Sequence, residues 1–198
     1  MNIKKKQGSY HILNSKEKKN VINLINSQWG CNVNFDNLSF KTNLTKLNDS
    51  VLEQNNLSEE ECFGEVALII NSKNKLFLIS RGFDVLSDEM SFFRLEKMGL
   101  YFATLDRNEI RLSMEGSQII GSIATKNILE LSEAQVKEWI LGFDLSFDDL
   151  SEDAISNYSG YVIVKYKTDF LCVGKFSNKD KKSFLNFVPK SRRIKIIS

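Results

Sequence analysis

The sequence predicts an α+β protein, with a small N-terminal α/β domain over residues 1–95 and a C-terminal β-barrel-like domain over residues 96–198. Three observations support this prediction. Apolar residues recur at helical spacing near the N-terminus, whereas short alternating runs joined by turn residues dominate the second half. The 198 residues are enough for two domains of about 100 residues each. A content of 42% apolar and 26% charged residues is typical of a folded globular chain.

The first predicted helix covers residues 15–28. Asn14 followed by Glu17 is a capping-box pattern, and Val21, Ile25 and Trp29 recur at helical spacing up to a glycine. A strand over residues 32–40 and a weaker helix around residues 44–52 are expected next. Two β-branched and aliphatic runs, at 65–71 and 75–80, are joined by Ser-Lys-Asn and therefore predict a hairpin.

The second half is predicted to consist mainly of hairpins. Residues 100–105 and 109–114 form one, a short helix at 115–122 follows, and a strand covers 127–131. Ser132 and Gln135 form another capping box, which predicts a helix that ends at Gly142. An acidic, serine-rich loop is expected over 143–159, then a hairpin of 161–167 with 170–176 and a final strand at 193–197.

The sequence lacks the residue patterns of common enzyme chemistry. Its glycines are scattered singly, so no dinucleotide-binding or phosphate-binding loop is present. His11 is the only histidine and has no nearby nucleophile. Cys31, Cys62 and Cys172 are odd in number and far apart, which excludes a disulfide framework and a zinc half-site. We therefore expect a protein that is not an enzyme and that binds no cofactor or metal.

Apolar runs in the sequence are short. Residues 66–70 form one of the longest, far below the roughly 18 residues that a membrane-spanning helix needs. The basic N-terminus is not followed by the hydrophobic core of a signal peptide. These patterns predict a cytoplasmic protein without a membrane partner.

Charge is distributed unevenly in the second half. Residues 127–159 contain eight acidic side chains and one lysine, whereas residues 160–198 contain ten Lys or Arg and two Asp. Such a basic segment is typical of a surface that binds a polyanion such as RNA. The alternative is a solubilising fringe of lysines on edge strands.

Seven residues are predicted to contact RNA. Lys165 and Lys167 are two apart, so in a strand they share a face. Six cations are expected to contact phosphates, the amide of Asn186 is expected to bond a base or sugar, and four aromatic rings are expected nearby for stacking. The cations are Lys165, Lys167, Lys175, Lys190, Arg192 and Arg193, and the rings are those of Tyr161, Tyr166, Phe184 and Phe187.

Three segments occur in an order that suggests a family. Gly160-Tyr-Val-Ile-Val, then Gly174-Lys175, then Asn186-Phe-Val-Pro-Lys-Ser-Arg192 resembles the PUA-like RNA-binding domain that ends the RsmF-type rRNA cytosine methyltransferases. The predicted helix over residues 131–145, with Trp139 and Gly142-Phe-Asp-Leu, resembles the segment that precedes this motif, so the resemblance covers a little more than the last third of the chain. It implies that the C-terminal β-barrel-like domain is PUA-like and binds RNA, most naturally rRNA. Those enzymes attack through a cysteine that follows proline, and here Pro189 precedes a lysine, so methylation is not transferred.

The whole chain also resembles the Nip-seven ribosome-biogenesis family, in which a small α/β domain precedes a PUA domain. The matching segments are Phe77-Leu-Ile-Ser80, Gly99-Leu-Tyr-Phe, Arg111-Leu112 and Gly160-Tyr-Val-Ile-Val. This resemblance implies an archaeal-type, stand-alone RNA-binding protein acting on rRNA or pre-ribosomes. Pre-ribosomal proteins or a separate rRNA methyltransferase are its implied partners.

Other functions stay open from the sequence. The chain is alternatively a protein-interaction adaptor that recruits a separate RNA-modifying enzyme, with tRNA as a further RNA target. Exposed apolar residues on the helix that carries Val21 and Ile25 would favour the adaptor. An enzyme with an unrecognised site is the least favoured class, because no nucleophile and base can be paired.

Overall fold

The computed structural model describes residues 10–33, 66–80 and 99–195, which form two β-sheets and four α-helices within those ranges. The predicted helix around 44–52, most of the predicted strand at 32–40, Cys62 and the predicted domain boundary at 95/96 lie outside the described residues. In chain order the elements are β1 (His11–Ile12), α1 (Ser15–Trp29), β2 (Val66–Ile70), β3 (Lys75–Ser80), β4 (Leu100–Asp106), β5 (Glu109–Leu112), α2 (Met114–Gly121), β6 (Ile128–Glu130), α3 (Glu133–Leu141), β7 (Leu145–Ser146), α4 (Glu152–Ser156), β8 (Val162–Tyr166), β9 (Asp169–Phe176) and β10 (Ser183–Asn186), followed by a 3-10 helix at Lys190–Arg192.

The first sheet is an antiparallel meander in the order β1-β2-β3-β4-β5. Ile69 pairs with Phe77 across the first predicted hairpin, and Leu105 pairs with Ile110 across the second. Both hairpins are thus confirmed. Because β4 pairs with β3, the second hairpin is part of the first sheet. It nevertheless lies in the predicted C-terminal domain, which begins at residue 96.

The second sheet has the order β6-β8-β9-β10-β7. β6 runs parallel to β8, and the remaining neighbours are antiparallel. One of the two sheets curves into a half-barrel, and the chain is a mixed α+β protein with two sheets, as the sequence predicts. The β8–β9 hairpin predicted for residues 161–176 is also confirmed.

Local sequence signals determine the ends of α1 and α3. The Asn14 side chain accepts a hydrogen bond from the backbone N–H of Glu17 (3.0 Å), and the Glu17 carboxylate accepts one from the backbone N–H of Asn14 (3.0 Å). Ser132 and Gln135 make the same reciprocal pair before α3, which ends at Gly142 in the left-handed region (φ 93°). Both helices begin and end close to the predicted residues.

Two parts of the second half differ from the prediction. Residues 143–159, predicted as an exposed loop, contain β7 and α4, because Leu145, Phe147 and Ile155 are buried and Ser151 caps the helix. The predicted strand at 193–197 is wrong over its described residues 193–195, which are neither strand nor helix. The last strand of the described residues is β10, which lies between the predicted hairpin and the predicted final strand.

One apolar core extends across both sheets. Trp29 from α1, Trp139 from α3 and Phe184 from β10 are all fully buried within it. The Gln28 side chain joins the sheets by accepting from Ile110 N (3.1 Å) and donating to the carbonyls of Ile110 (3.1 Å) and Tyr161 (3.2 Å). The two sheets therefore pack as neighbours around shared buried residues. Among the helices of residues 10–33, 66–80 and 99–195, none combines the length and apolar character that crossing a membrane requires.

Candidate nucleic-acid interface

The seven residues predicted to bind RNA all lie on the second sheet or in the segment that follows it, but their surroundings differ. The structure places them as follows: Lys165 in β8, Lys167 in the β8–β9 turn, Lys175 in β9, Asn186 in β10, Lys190 and Arg192 in the 3-10 helix, and Arg193 directly after it.

Lys165 and Lys167 do not share a strand face as predicted. β8 ends at Tyr166, and Lys167 lies in the turn with a positive φ of 52°, so the alternation of side chains stops before it. The Nζ atom of Lys165 is 3.6 Å from the Oε2 atom of Glu130 on β6. Lys167 is exposed, lies 4.9 Å from the ring centroid of Tyr166 and forms no ion pair within the described residues. Only Lys167 of this pair presents an uncompensated charge.

Lys175 is held between the two sheets. Its Nζ atom donates to the Glu109 carboxylate of β5 at 2.7 Å and lies 5.0 Å from the ring centroid of Tyr161. The side chain is 29% exposed and that of Glu109 is 39% exposed. Its charge is therefore already matched by a carboxylate that is 66 residues away in the sequence.

Two of the aromatic rings expected to stack on bases are unavailable. Tyr161 and Phe184 are buried, at 4% and 0% exposure, so a base cannot reach their faces. The Tyr161 hydroxyl donates to the Asp106 carboxylate at 3.0 Å. Burial, followed by this hydrogen bond, raises the pKa of Tyr161 to about 12. The Tyr161 ring packs edge-on against Phe187, over which the Arg111 guanidinium lies at 5.5 Å.

The Asn186 side chain has a structural role that differs from the predicted contact with a base or sugar. Its Nδ2 donates to the carbonyls of Trp139 (2.8 Å) and Phe143 (3.0 Å), and its Oδ1 accepts from Val188 N (2.8 Å). Both amide hydrogens are used inside the protein. Asn186 thus connects β10 to the end of α3, more than 40 residues earlier, which no local sequence pattern could indicate.

The C-terminal segment, defined here as residues 189–195, is attached to the protein at several points. Arg192 Nη2 pairs with Glu115 of α2 at 2.5 Å. The Nε of Arg193 donates to Val188 O (3.0 Å), and the backbone N–H of Ile194 donates to Ile140 O (3.0 Å). The segment therefore has a defined path between the start of α2 and the end of α3.

The same segment concentrates positive charge. It contains four cations and no acidic residue. Arg192 is the one cation of the four that pairs with a carboxylate of the described chain, while Lys190 and Lys195 are exposed and unpaired with any described residue. A fixed backbone with uncompensated Lys and Arg side chains is suited to binding phosphate groups.

A cleft of about 360 Å³ between α4 and β9 also contains two lysines. Lys175 is paired with Glu109, and Lys181 donates to Glu152 at 2.8 Å. Both cations that line the cleft thus carry carboxylate partners. The cleft is less suited to a polyanion than the C-terminal segment is.

Within the described residues, neither cysteine thiol bonds a histidine or a carboxylate, and His11 pairs only with a carboxylate. His11 is 2.8 Å from the Glu17 carboxylate near the surface. Cys31 and Cys172 are buried as free thiols, and burial raises the pKa of Cys172 to about 11, which keeps it protonated and unreactive near neutral pH. Within ranges 10–33, 66–80 and 99–195, no group of three His, Cys, Asp or Glu side chains is placed to hold a metal ion.

The sequence matches no protein-family model and no curated protein.

Proposed function

We propose that this protein is a non-catalytic RNA-binding protein, whose second sheet and C-terminal segment form a PUA-like domain that binds rRNA or pre-ribosomal particles. The observation that carries the proposal is the C-terminal segment. Its four cations lie on a backbone fixed by hydrogen bonds, and Arg192 alone pairs with a described carboxylate.

The chemistry of RNA binding fits this segment. Contacts from Lys and Arg to phosphates supply most sequence-independent affinity, because they release the counterions condensed on the nucleic acid. Lys190 and Lys195 are exposed, so a phosphate can approach each without displacing a carboxylate of the described chain. Lys175 and Arg192 would first have to leave Glu109 and Glu115, so they contribute less.

The resemblance to PUA-like domains supports the proposal independently. Its segments correspond to β8, β9, β10 and the C-terminal segment. Gly160, in the left-handed region (φ 63°), enables the turn before β8, and Gly174 leaves room for the Phe184 ring, which a Cβ atom would overlap. The glycines of the motif thus have packing roles, and RNA contact is assigned to the cations.

The alternative of an adaptor that docks through α1 is not supported by Val21 or Ile25. Val21 is 4% exposed and Ile25 is fully buried, so both face the core and not a partner. Val21 and Ile25 are therefore not exposed apolar residues of the kind that would favour the adaptor.

Salt-dependent RNA binding tests the proposal. We would compare the native chain with Lys190→Glu/Lys195→Glu, using an rRNA fragment and measuring Kd across a range of salt concentrations. Lys16→Glu/Lys19→Glu is the matched control, because it reverses the same number of charges on exposed positions of α1. We expect the first variant to bind more weakly. The negative slope of log K against log salt should become shallower by about 1.4 to 1.8. Equal loss in both variants, or a native slope near zero, would contradict the proposal.

A further inference from the structure

Phe143 is an exposed aromatic residue on a fixed backbone. Its side chain is 59% exposed, although it lies at the end of α3 beside the buried Trp139. Its backbone N–H donates to Glu138 O (3.1 Å), and its carbonyl accepts from Asn186 Nδ2 (3.0 Å). Burying this ring under a ligand would therefore cost little conformational entropy in the backbone.

One cation of the C-terminal segment, Arg193, lies against the residue that precedes Phe143. The Arg193 side chain packs so closely on Gly142, the residue before Phe143, that a Cβ atom there would overlap it. Arg193 donates one hydrogen bond, from Nε, and its two Nη groups bond no residue in the described part of the chain. The nearest carboxylate in sequence, Asp144, accepts a hydrogen bond from Asn186 N at 2.7 Å. The Arg193 guanidinium at Gly142 thus keeps free donors one residue away from the exposed Phe143.

We propose that Phe143 is a stacking platform for one unpaired RNA base, with the flanking phosphates contacted by Arg193, Lys190 and Lys195. This inference rests on the proposed RNA binding and specifies its ligand as a single-stranded or looped segment. Stacking on an exposed aromatic ring accepts any base, and adjacent cations bind the backbone on either side of it. The positive charge of the segment favours RNA over an apolar protein surface as the occupant.

Tryptophan fluorescence provides a direct test. Both native tryptophans, Trp29 and Trp139, are fully buried, so Phe143→Trp adds the chain's exposed reporter. We expect a short oligouridylate to quench this variant, whereas a fully paired duplex of equal length quenches it little. Phe143→Ala should bind the oligouridylate about tenfold more weakly, with an unchanged salt slope. Ile123→Ala is the control, because Ile123 is also an exposed apolar residue (44%) but follows α2.

The outcomes separate this inference from the proposed function. If Phe143→Ala binds the oligouridylate as the native chain does while Lys190→Glu/Lys195→Glu binds it more weakly, the platform is overturned and RNA binding stands. If the native chain binds the rRNA fragment but not the oligouridylate, the platform is overturned and RNA binding stands, and if it binds none of these RNAs, both proposals are overturned. An unchanged melting temperature for Phe143→Ala ensures that weaker binding reports stacking and not unfolding.

Discussion

The Nζ atom of Lys175 on β9 lies 2.7 Å from the Oε2 atom of Glu109 on β5, and this ion pair joins the second sheet to the first. The same ammonium group lies over the Tyr161 ring at 5.0 Å. A residue that resembles part of an RNA-binding motif is therefore also part of the contact between the sheets. Its charge is compensated before any ligand arrives.

Replacing Glu109 by glutamine should release Lys175 for RNA binding. The ion pair is partly exposed, so we expect a loss in unfolding free energy of only about 0.2–1 kcal/mol. RNA affinity should rise slightly, because the chain gains one net positive charge beside β9. Urea denaturation and RNA titration measure the two effects. A fall in RNA affinity for the folded variant would contradict this account of Lys175.

Asn186→Ala should destabilise the fold, and any loss of RNA affinity in the folded protein should be small and follow from the lost hydrogen bond to the Phe143 carbonyl. The substitution removes three internal hydrogen bonds made by the side chain, each worth about 0.5–1.5 kcal/mol net. Urea denaturation should therefore show a loss of roughly 2–4 kcal/mol. Asn178→Ala, at an exposed position between β9 and β10, is the control and should change stability little. A loss of RNA affinity without a loss of stability would instead support the predicted contact of Asn186 with a base or sugar.

Gly142→Ala and Gly160→Ala form a matched pair of backbone substitutions. Both glycines are in the left-handed region, at φ 93° and 63°, so each substitution should cost about 1–2 kcal/mol. A Cβ atom at Gly142 would also displace the Arg193 side chain, whereas one at Gly160 would only touch Glu109 at 3.4 Å. Only Gly142→Ala should therefore weaken RNA binding. Equal RNA affinity in the two folded variants would show that Arg193 is not part of the interface.

Tyr161 should titrate far above an ordinary tyrosine. Its pKa of about 12, against 10.0 for an unperturbed phenol, means that the fold favours the neutral form. The resulting stability is present below pH 10 and is lost as the pH rises through 12. Phenolate absorbance should show one of the five tyrosines ionising near pH 12, and Tyr161→Phe should remove that step. A Tyr161 step near pH 10 would contradict the buried hydrogen bond to Asp106.

Elements fixed by local contacts could be predicted from the sequence. The reciprocal bonds of Asn14 with Glu17, and of Ser132 with Gln135, involve residues three apart, so their patterns are visible in the sequence itself. The hairpins were predicted for the same reason. The sequence does not predict α4, because charged and serine residues surround its one buried residue, Ile155. Tertiary packing, which the local sequence does not show, buries this side chain.

The candidate site could be predicted only in part. The number of Lys and Arg residues indicates the basic C-terminal segment. The sequence does not show which of these cations pair with a carboxylate. Glu109 is 66 residues from Lys175, and Glu115 is 77 residues from Arg192, so only the fold brings them together. Phe143 lies in the predicted loop, and both its exposure and the contact of Arg193 with the neighbouring Gly142 follow from the fold.

Crosslinking in cells, followed by sequencing of the bound RNA, tests whether the protein binds rRNA through its C-terminal segment. The native chain, Lys190→Glu/Lys195→Glu and the control Lys16→Glu/Lys19→Glu would be expressed at equal levels. We expect discrete rRNA crosslinks for the native chain and the control, and their loss in the C-terminal variant. Absence of enriched RNA with the native chain, or crosslinks that persist unchanged in the C-terminal variant, would contradict it.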